Sequence, residues 1–285
     1  MIFINKTIKN YLVKISPLFL LFIILIIILV MVEIYIYLNS HKLSNKVIDT
    51  KAVILEDANK NTPAVVILED VKKNTQILEN SDKVKRHIFG DYEVIEILNV
   101  ITPEECDKII ELTKKKGLNE SEVLSYGTEN TTVVDKNFRI CKQSWYSDSD
   151  DIIFTKIAKY NSDITQMPIE NQEMTQIGMY TSGGKFNEHI DACAFEDKEY
   201  CDNINKHSGQ RRYTLLIYLN DDFEGGETEF TKLNLKIKPE KGKAIFFKST
   251  DENEVIYQQS MHRGNEVING EKWIATKWTH FKEYK

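Results

Sequence analysis

The fold of this chain is decided by the stretch Met174-Thr-Gln-Ile-Gly-Met-Tyr-Thr-Ser-Gly-Gly-Lys-Phe-Asn-Glu-His-Ile-Asp191. The run up to Tyr180 has strand character, and the Gly-Gly pair at 183–184 then marks a turn. His189 and Asp191 follow at positions i and i+2, a spacing that points both side chains to one face of a strand. The stretch therefore predicts short strands around a turn, with two metal-binding side chains at the end of one strand.

Further short strand candidates, separated by Gly, Pro and Asn turns, continue to the C-terminus. The full set is Met174–Tyr180, Tyr213–Asn220, Thr228–Phe230, Leu235–Ile237, Ala244–Phe247, His262–Val267 and Trp273–Trp278. Before them lie a strand in residues 92–100, a helix that opens at Thr102-Pro-Glu-Glu and ends at Gly117, and a helix near residues 150–161. This order predicts an α+β, mainly β fold: a double-stranded β-helix (jelly roll) with flanking N-terminal helices.

An apolar segment near the N-terminus predicts a single transmembrane helix. Every residue from Leu18 to Val32 is apolar, and the apolar character resumes after Glu33 and continues to Leu38. As a helix, the segment would span about 30 Å of hydrocarbon. Three Lys and no acidic residue precede it, which favours a cytosolic N-terminus and a single-pass type II topology. A cleaved signal peptide is the alternative, but the apolar core is long and no Ala-x-Ala pattern follows it.

Composition divides the chain into four predicted regions. Residues 39–88 are rich in Lys, Asn, Asp and Glu, and Ala52–Asp57 returns as Val65–Asp70, so this part is interpreted as a linker or a small oligomerisation element. The formal net charge of −6 argues against nucleic-acid binding, which favours basic surfaces. The regions are a cytosolic tail at 1–17, a transmembrane signal anchor at 18–38, a stalk at 39–88 and a catalytic domain at 89–285.

Four cysteines leave the disulfide pattern open. Cys106, Cys141, Cys193 and Cys201 form no CxxC pair, which argues against a zinc knuckle. Disulfides are permitted if the domain is lumenal. Cys193 and Cys201 are close enough in sequence to close a small loop, and free, partly buried thiols are the equally weighted alternative.

A metal-binding hypothesis arises from three side chains and one distal lysine. His189, Asp191 and His262, which starts a later predicted strand, can hold one face of Fe(II) and leave positions open for a co-substrate and O₂. Lys272 follows His262 and can pair with an acidic group of that co-substrate. A His-x-Asp tripeptide alone is common by chance, so the hypothesis depends on the motifs around it.

Those motifs resemble the prolyl 4-hydroxylase branch of the Fe(II)/2-oxoglutarate dioxygenases over roughly residues 89–282. The resemblance is carried by an ordered set: Ile101-Thr-Pro-Glu-Glu-Cys106, Phe138-Arg-Ile-Cys141 with Cys where Ser is usual, Tyr180 to Asp191, Gly209-Gln-Arg211, Gly225-Gly-Glu-Thr228, Pro239 to Phe247, His262-Arg-Gly264 and Gly270-Glu-Lys272-Trp273. As an ordered set the motifs are highly specific.

The resemblance implies a role for each candidate residue. His189, Asp191 and His262 would bind Fe(II) and form the catalytic centre, while Lys272, Tyr180 and Thr228 would hold 2-oxoglutarate. Arg211 and Trp278 match positions near a peptide-binding groove; a surface charge and a core aromatic are the alternatives for these two. Ascorbate dependence is implied by the resemblance alone.

The expected function is a membrane-anchored dioxygenase that hydroxylates peptidyl proline in the endoplasmic reticulum or Golgi lumen. Its cofactors would be Fe(II), 2-oxoglutarate, O₂ and ascorbate, and its partners a proline-containing substrate and the membrane. Two alternatives remain open: the same chemistry on a lysyl residue or a small molecule, and a silent binding module that keeps the barrel. Lys272 favours the prolyl branch over lysyl hydroxylases, which tend to use Arg there.

Overall fold

The computed structural model describes residues 82–124 and 132–285. The predicted cytosolic tail at 1–17, the transmembrane anchor at 18–38 and nearly all of the predicted stalk lie outside these residues. Within the two described ranges, no helix is both long and apolar enough to cross a bilayer.

Three α-helices lie in the described ranges: α1 (Pro103–Lys116), α2 (Ile152–Thr165) and α3 (Lys198–Ile204). The predicted capping box is present at α1, where the Thr102 hydroxyl accepts from the Glu105 amide and the Glu105 carboxylate accepts from the Thr102 amide. An Asp151 side-chain cap starts α2, which extends further towards the C-terminus than the expected 150–161. The sequence pattern did not predict α3.

Short strands make up most of the remaining chain. The first are β1 (Val84–Phe89), β2 (Tyr92–Ile97), β3 (Asn119–Glu120), β4 (Val123–Leu124), β5 (Thr132–Val133), β6 (Arg139–Ile140), β7 (Lys142–Tyr146), β8 (Thr175–Thr181) and β9 (Lys185–His189). The later ones are β10 (Arg211–Tyr218), β11 (Glu224–Gly225), β12 (Thr228–Phe230), β13 (Leu235–Ile237), β14 (Ala244–Lys248), β15 (His262–Gly264), β16 (Val267–Asn269) and β17 (Glu271–His280). The predicted domain start at residue 89 is the last residue of β1, so most of this strand of the major sheet lies within the predicted stalk.

Two antiparallel sheets form the framework. The major sheet has the order β1-β2-β14-β10-β17-β8-β7-β3, and the minor sheet has the order β13-β12-β15-β9-β6. Two-stranded pairs, β11 with β16 and β4 with β5, complete the topology. Apart from the local pairs β1–β2 and β12–β13, most neighbours in both sheets are distant in sequence, as in the predicted jelly roll, so their register is set by tertiary pairing.

The major sheet is buried on both faces. On its outer face, apolar side chains of α1 and α2 pack against Ile177, Leu215 and Trp273, as the predicted flanking helices require. On its inner face, strands of the major sheet share a second core with Phe230 and Ile237 of the minor sheet. This arrangement of helices, major sheet and minor sheet confirms the mainly β class.

One predicted strand is divided in two. Residues 262–267 were expected to form one element, but β15 pairs with β9 and β12, whereas β16 pairs with β11. Between the two strands, the Asn265 amide donates to the Glu227 carbonyl and the Gly226 amide donates to the Glu266 carbonyl, in the register of the β12–β15 ladder. The division therefore lies where the facing segment contains Gly226, which has a φ of 66°.

A disulfide joins Cys193 to Cys201, and Cys106 and Cys141 are free and buried. Of the two alternatives left open for the first pair, the bridged one is present. The bridge closes the segment that contains most of α3, directly after Asp191, and thus constrains the chain beside the candidate metal ligands.

Candidate active site

Strand pairing brings the three predicted metal ligands together. His189 and His262 are direct partners between β9 and β15, with ring centroids 4.3 Å apart. Asp191 lies two residues beyond the end of β9, with its Oδ1 3.6 Å from His189 Nε2. One ligand atom from each of the three side chains lies within 4.8 Å of the others, a spacing that suits one metal ion.

Main-chain carbonyls orient both imidazoles. His189 Nδ1 lies 2.7 Å from the Asn187 carbonyl oxygen, and His262 Nδ1 lies 2.9 Å from the Ser260 carbonyl oxygen. Since a carbonyl only accepts, each Nδ1 carries the proton and each Nε2 keeps a lone pair for a metal.

The ligands are in the protonation states that bind metal. Burial, followed by the proximity of His262, lowers the pKa of His189 to about 3. Burial opposes ionisation of Asp191, but the neighbouring histidines outweigh it and lower the pKa of its carboxyl. At neutral pH His189 is neutral and Asp191 is a carboxylate, so this donor set fits Fe(II).

Lys272 is a buried cation that has no carboxylate partner among residues 82–124 and 132–285. Its Nζ donates to the Gly226 carbonyl over 2.6 Å and lies 5.3 Å from the centre of the Tyr180 ring. Burial lowers the pKa of Lys272 to about 8. Because a desolvated ammonium is costly without a counter-ion, the surroundings of Lys272 favour an anionic ligand.

The two hydroxyl candidates lie beside Lys272. Tyr180 is its direct ladder partner between β8 and β17, and burial raises the pKa of the Tyr180 phenol. Thr228 is also buried, and its oxygen accepts from the Tyr218 hydroxyl at 2.7 Å. The hydroxyl proton of Thr228 therefore remains available for donation. Tyr218, which orients the Thr228 hydroxyl, was not among the predicted site residues.

Arg211 and Trp278 are in contact with each other. The Arg211 guanidinium lies 3.9 Å from the centre of the Trp278 ring and pairs through two nitrogens with Glu173. His280 Nε2 approaches the same Glu173 carboxylate at 2.8 Å. Arg211 is thus part of a fixed cluster rather than an isolated surface charge.

Arg139 is a second buried cation that the predicted site omitted. Its Nη2 donates to Gln176 at 2.8 Å, its guanidinium lies 4.6 Å from the Phe186 ring, and its Nε has no partner among the described residues. The Phe186 ring in turn stacks on His189 at 3.6 Å. The Arg-Ile-Cys motif was visible in the sequence, but nothing local showed that its Arg would enter the site.

A single cavity collects nearly all of the predicted residues. Tyr180, His189, Asp191, Thr228, His262, Lys272 and Trp278 line it, together with Arg139, Gln176 and Thr214. Arg211 lies beside this cavity through its stacking on Trp278. The three candidate metal ligands, Lys272 and Trp278 therefore face one cavity.

Comparison with known proteins agrees with this geometry. The family model of the 2OG-Fe(II) oxygenase superfamily matches residues 175–280. Fold, cavity and match together define a 2-oxoglutarate-dependent dioxygenase, which uses Fe(II), 2-oxoglutarate and O₂; ascorbate is typical of the prolyl hydroxylases within this class.

Similar proteins place the chain more narrowly. A protein of Acanthamoeba polyphaga mimivirus that is assigned to the prolyl 4-hydroxylases is 37% identical over 191 residues, which cover 66% of this chain and 73% of that protein. Prolyl 4-hydroxylase 5 of Arabidopsis thaliana is 31% identical over 207 residues, covering 66% and 68%. The chain belongs to the prolyl 4-hydroxylase branch of the 2OG-Fe(II) oxygenases.

A solved structure shows the same architecture. The viral collagen prolyl hydroxylase of Paramecium bursaria Chlorella virus-1, in complex with 2-oxoglutarate, is 29% identical to this chain. The alignment has a TM-score of 0.53 and covers 67% of this chain and 97% of that structure. The jelly-roll core predicted from strand order is thereby confirmed.

The ion pair around Glu173 predicts a specific acid sensitivity. Burial opposes ionisation, but Arg211 and His280 outweigh it and lower the pKa of Glu173 to about 2, from 4.5. The stabilisation is therefore complete above pH 4.5 and is lost as the pH falls towards 2. We expect wild-type protein to exceed Glu173→Gln in unfolding free energy by a few kcal/mol near pH 6, and the gap to narrow on acidification.

Urea denaturation of both proteins between pH 6 and pH 3 measures this gap. Glu170→Gln, an exposed substitution nearby, is the control and should show no such narrowing. A constant gap between wild type and Glu173→Gln would contradict the assignment.

Proposed function

We propose that the catalytic domain hydroxylates proline residues of a peptide or protein at C4, converting 2-oxoglutarate and O₂ to succinate and CO₂. The proposal is carried by one observation: the candidate metal triad faces the same cavity as a buried lysine that pairs with no carboxylate of residues 82–124 and 132–285. Named relatives that are prolyl 4-hydroxylases support proline as the target, including the collagen prolyl hydroxylase structure.

In this proposal His189, Asp191 and His262 hold the metal through two Nε2 atoms and one carboxylate oxygen. The donor set is neutral at His189 and anionic at Asp191, which suits a divalent ion. Bound Fe(II) supplies the oxidative decarboxylation of 2-oxoglutarate and the transfer of oxygen to the substrate C–H bond. The chain supplies orientation, through the carbonyls that fix both imidazoles, and an enclosed cavity.

Lys272 would anchor the distal carboxylate of 2-oxoglutarate. The ammonium of Lys272 is buried and donates one of its three N–H groups to the Gly226 carbonyl, so further donors remain for an anion. Tyr180 and Thr228, which line the same cavity, contribute hydroxyl donors. Three donors around one carboxylate would fix the co-substrate and aim its 2-oxo acid end towards the metal ligands.

Arg211 and Trp278 would form the substrate platform. The Trp278 indole lines the cavity, and its N–H is buried with no acceptor among the described residues. That donor can satisfy a main-chain carbonyl of a bound peptide, while the ring provides an apolar surface for a pyrrolidine. Glu173 fixes the guanidinium that packs on the ring, so the platform is rigid before substrate arrives.

The first test is turnover by residues 82–285 with Fe(II), 2-oxoglutarate and ascorbate, with and without proline-rich peptides. We expect peptide-stimulated succinate release and an oxygen added to proline, both abolished by chelation. His189→Ala and His262→Ala should lose at least about a thousandfold in activity because the metal loses a ligand. The matched control is His207→Ala, an exposed histidine outside the cavity, which should retain full activity.

Other outcomes of that assay have definite meanings. Oxidation of lysine or of a small molecule, but not of proline, would replace the substrate class while keeping the chemistry. No succinate from folded, iron-loaded protein would favour a silent binding module. Full activity in either His variant would overturn the metal assignment.

The second test uses the lowered pKa of Lys272. Because the ammonium is lost as pH rises through about 8, the dissociation constant for 2-oxoglutarate should be constant below that value and rise above it. Lys272→Met should weaken binding about 10–100-fold at pH 7, as expected for a lost charged hydrogen bond. Lys272→Arg, which stays charged, should show no rise at pH 9.

Anaerobic titration of metal-loaded protein with 2-oxoglutarate measures these constants without turnover. If the wild-type dissociation constant for 2-oxoglutarate does not change between pH 7 and pH 9, Lys272 is not the residue that binds it. Equal binding by wild type and Lys272→Met would lead to the same conclusion.

We also propose that residues 18–38 anchor the protein in a membrane, with the catalytic domain in the lumen of the endoplasmic reticulum or Golgi. The apolar segment and the lysines before it support this topology. The Cys193–Cys201 bridge supports an oxidising compartment. In sealed microsomes the domain should resist added protease and become sensitive only after detergent; digestion without detergent would contradict the topology.

A further inference from the structure

The three candidate metal ligands are not held equally by the backbone. His189 and His262 are ladder partners, so sheet pairing and main-chain carbonyls fix both rings. Asp191 lies beyond the end of β9, in a bend outside any strand. Its carboxylate therefore needs a side-chain partner to occupy a defined position.

Thr214 provides that partner from the opposite sheet. Its hydroxyl donates to Asp191 Oδ2 over 2.6 Å, a short hydrogen bond to a charged acceptor. Thr214 lies in β10 of the major sheet and is only 1% exposed. The hydrogen bond thus connects Asp191, which lies beyond the end of β9, to the major sheet.

The side chain of Thr214 is flanked by buried aromatic residues. Its direct ladder neighbours are Phe247 on β14 and Trp278 on β17, and both aromatic side chains are buried. In such a low-dielectric environment a satisfied hydroxyl–carboxylate bond is strong and directional. Removal of the Thr214 hydroxyl would leave Asp191 Oδ2 without this donor, and the carboxylate group could then rotate.

We propose that Thr214 is a positioning residue that commits Asp191 Oδ2 to a hydrogen bond, so that Oδ1 alone is presented to the metal. Oδ1 is the oxygen that lies 3.6 Å from His189 Nε2. Arg211 donates to the Asp191 main-chain carbonyl at 3.3 Å and fixes the other end of the residue. This inference rests on the proposed metal site and assigns Thr214 the placement of its third ligand.

The test compares Thr214→Val, which keeps the shape and loses the hydroxyl, with Thr214→Ser, which keeps the hydroxyl. We expect Thr214→Val to bind Co(II) about 10–100-fold more weakly than wild type, the usual effect of losing a group that orients a metal ligand. Thr214→Ser should stay within about threefold of wild type. The visible spectrum of bound Co(II) should change in the Val variant, because a freed carboxylate can coordinate through both oxygens.

Thr175→Val is the matched control. Thr175 is buried in β8 of the same sheet, and its hydroxyl has no partner among the described residues, so the same substitution removes no bond there. Its Co(II) affinity and spectrum should equal those of wild type. An equal loss of affinity in Thr175→Val would indicate general softening of the sheet and would overturn the positioning role.

The remaining outcomes separate this inference from the proposed function. If wild-type protein binds no divalent metal, the proposed function fails and the inference fails with it. If wild type binds Co(II) and Thr214→Val binds it equally well with an unchanged spectrum, only the role of Thr214 is overturned.

Discussion

The pairing of β9 with β15 is the constraint on which the site depends. It sets His189 directly opposite His262, and a slip of one residue in either strand would turn one imidazole to the other face of the sheet. Sheet pairing also places the end of β9 where Asp191 can reach across to Thr214. The placement of the two histidines is therefore a property of strand register, whereas that of Asp191 depends on the bend after β9 and on Thr214.

The cavity contains buried positive charge that an anionic co-substrate would neutralise. Lys272 and Arg139 both face the Tyr180 ring, at 5.3 Å and 6.0 Å, and neither pairs with a carboxylate of the described residues. Arg211, by contrast, forms an ion pair with Glu173. A protein tolerates such desolvated cations where function requires them, and binding of a dianion would recover part of that cost.

Features that depend on local sequence pattern or on recognisable motifs could be predicted from the sequence. The capping box at Thr102, the strands 228–230 and 235–237, and the convergence of His189, Asp191 and His262 all depend on short-range spacing or on ordered motifs. The supporting contacts were not predictable in this way. Arg139 meets Gln176, and Glu173 meets Arg211 and His280, only after the major sheet has assembled, so no local periodicity encodes them. The division of residues 262–267 into two strands likewise depends on the facing segment, where Gly226 at positive φ lies between β11 and β12.

Strand β17 carries Lys272 near one end and Trp278 near the other. Because an extended strand is stiff and this one is hydrogen-bonded on both sides, the distance along the strand between Lys272 and Trp278 is fixed. A ligand that contacts both side chains would have to span that distance. A ligand of a different length would have to be accommodated by the connecting segments, since the spacing along β17 cannot be lengthened without disrupting the sheet.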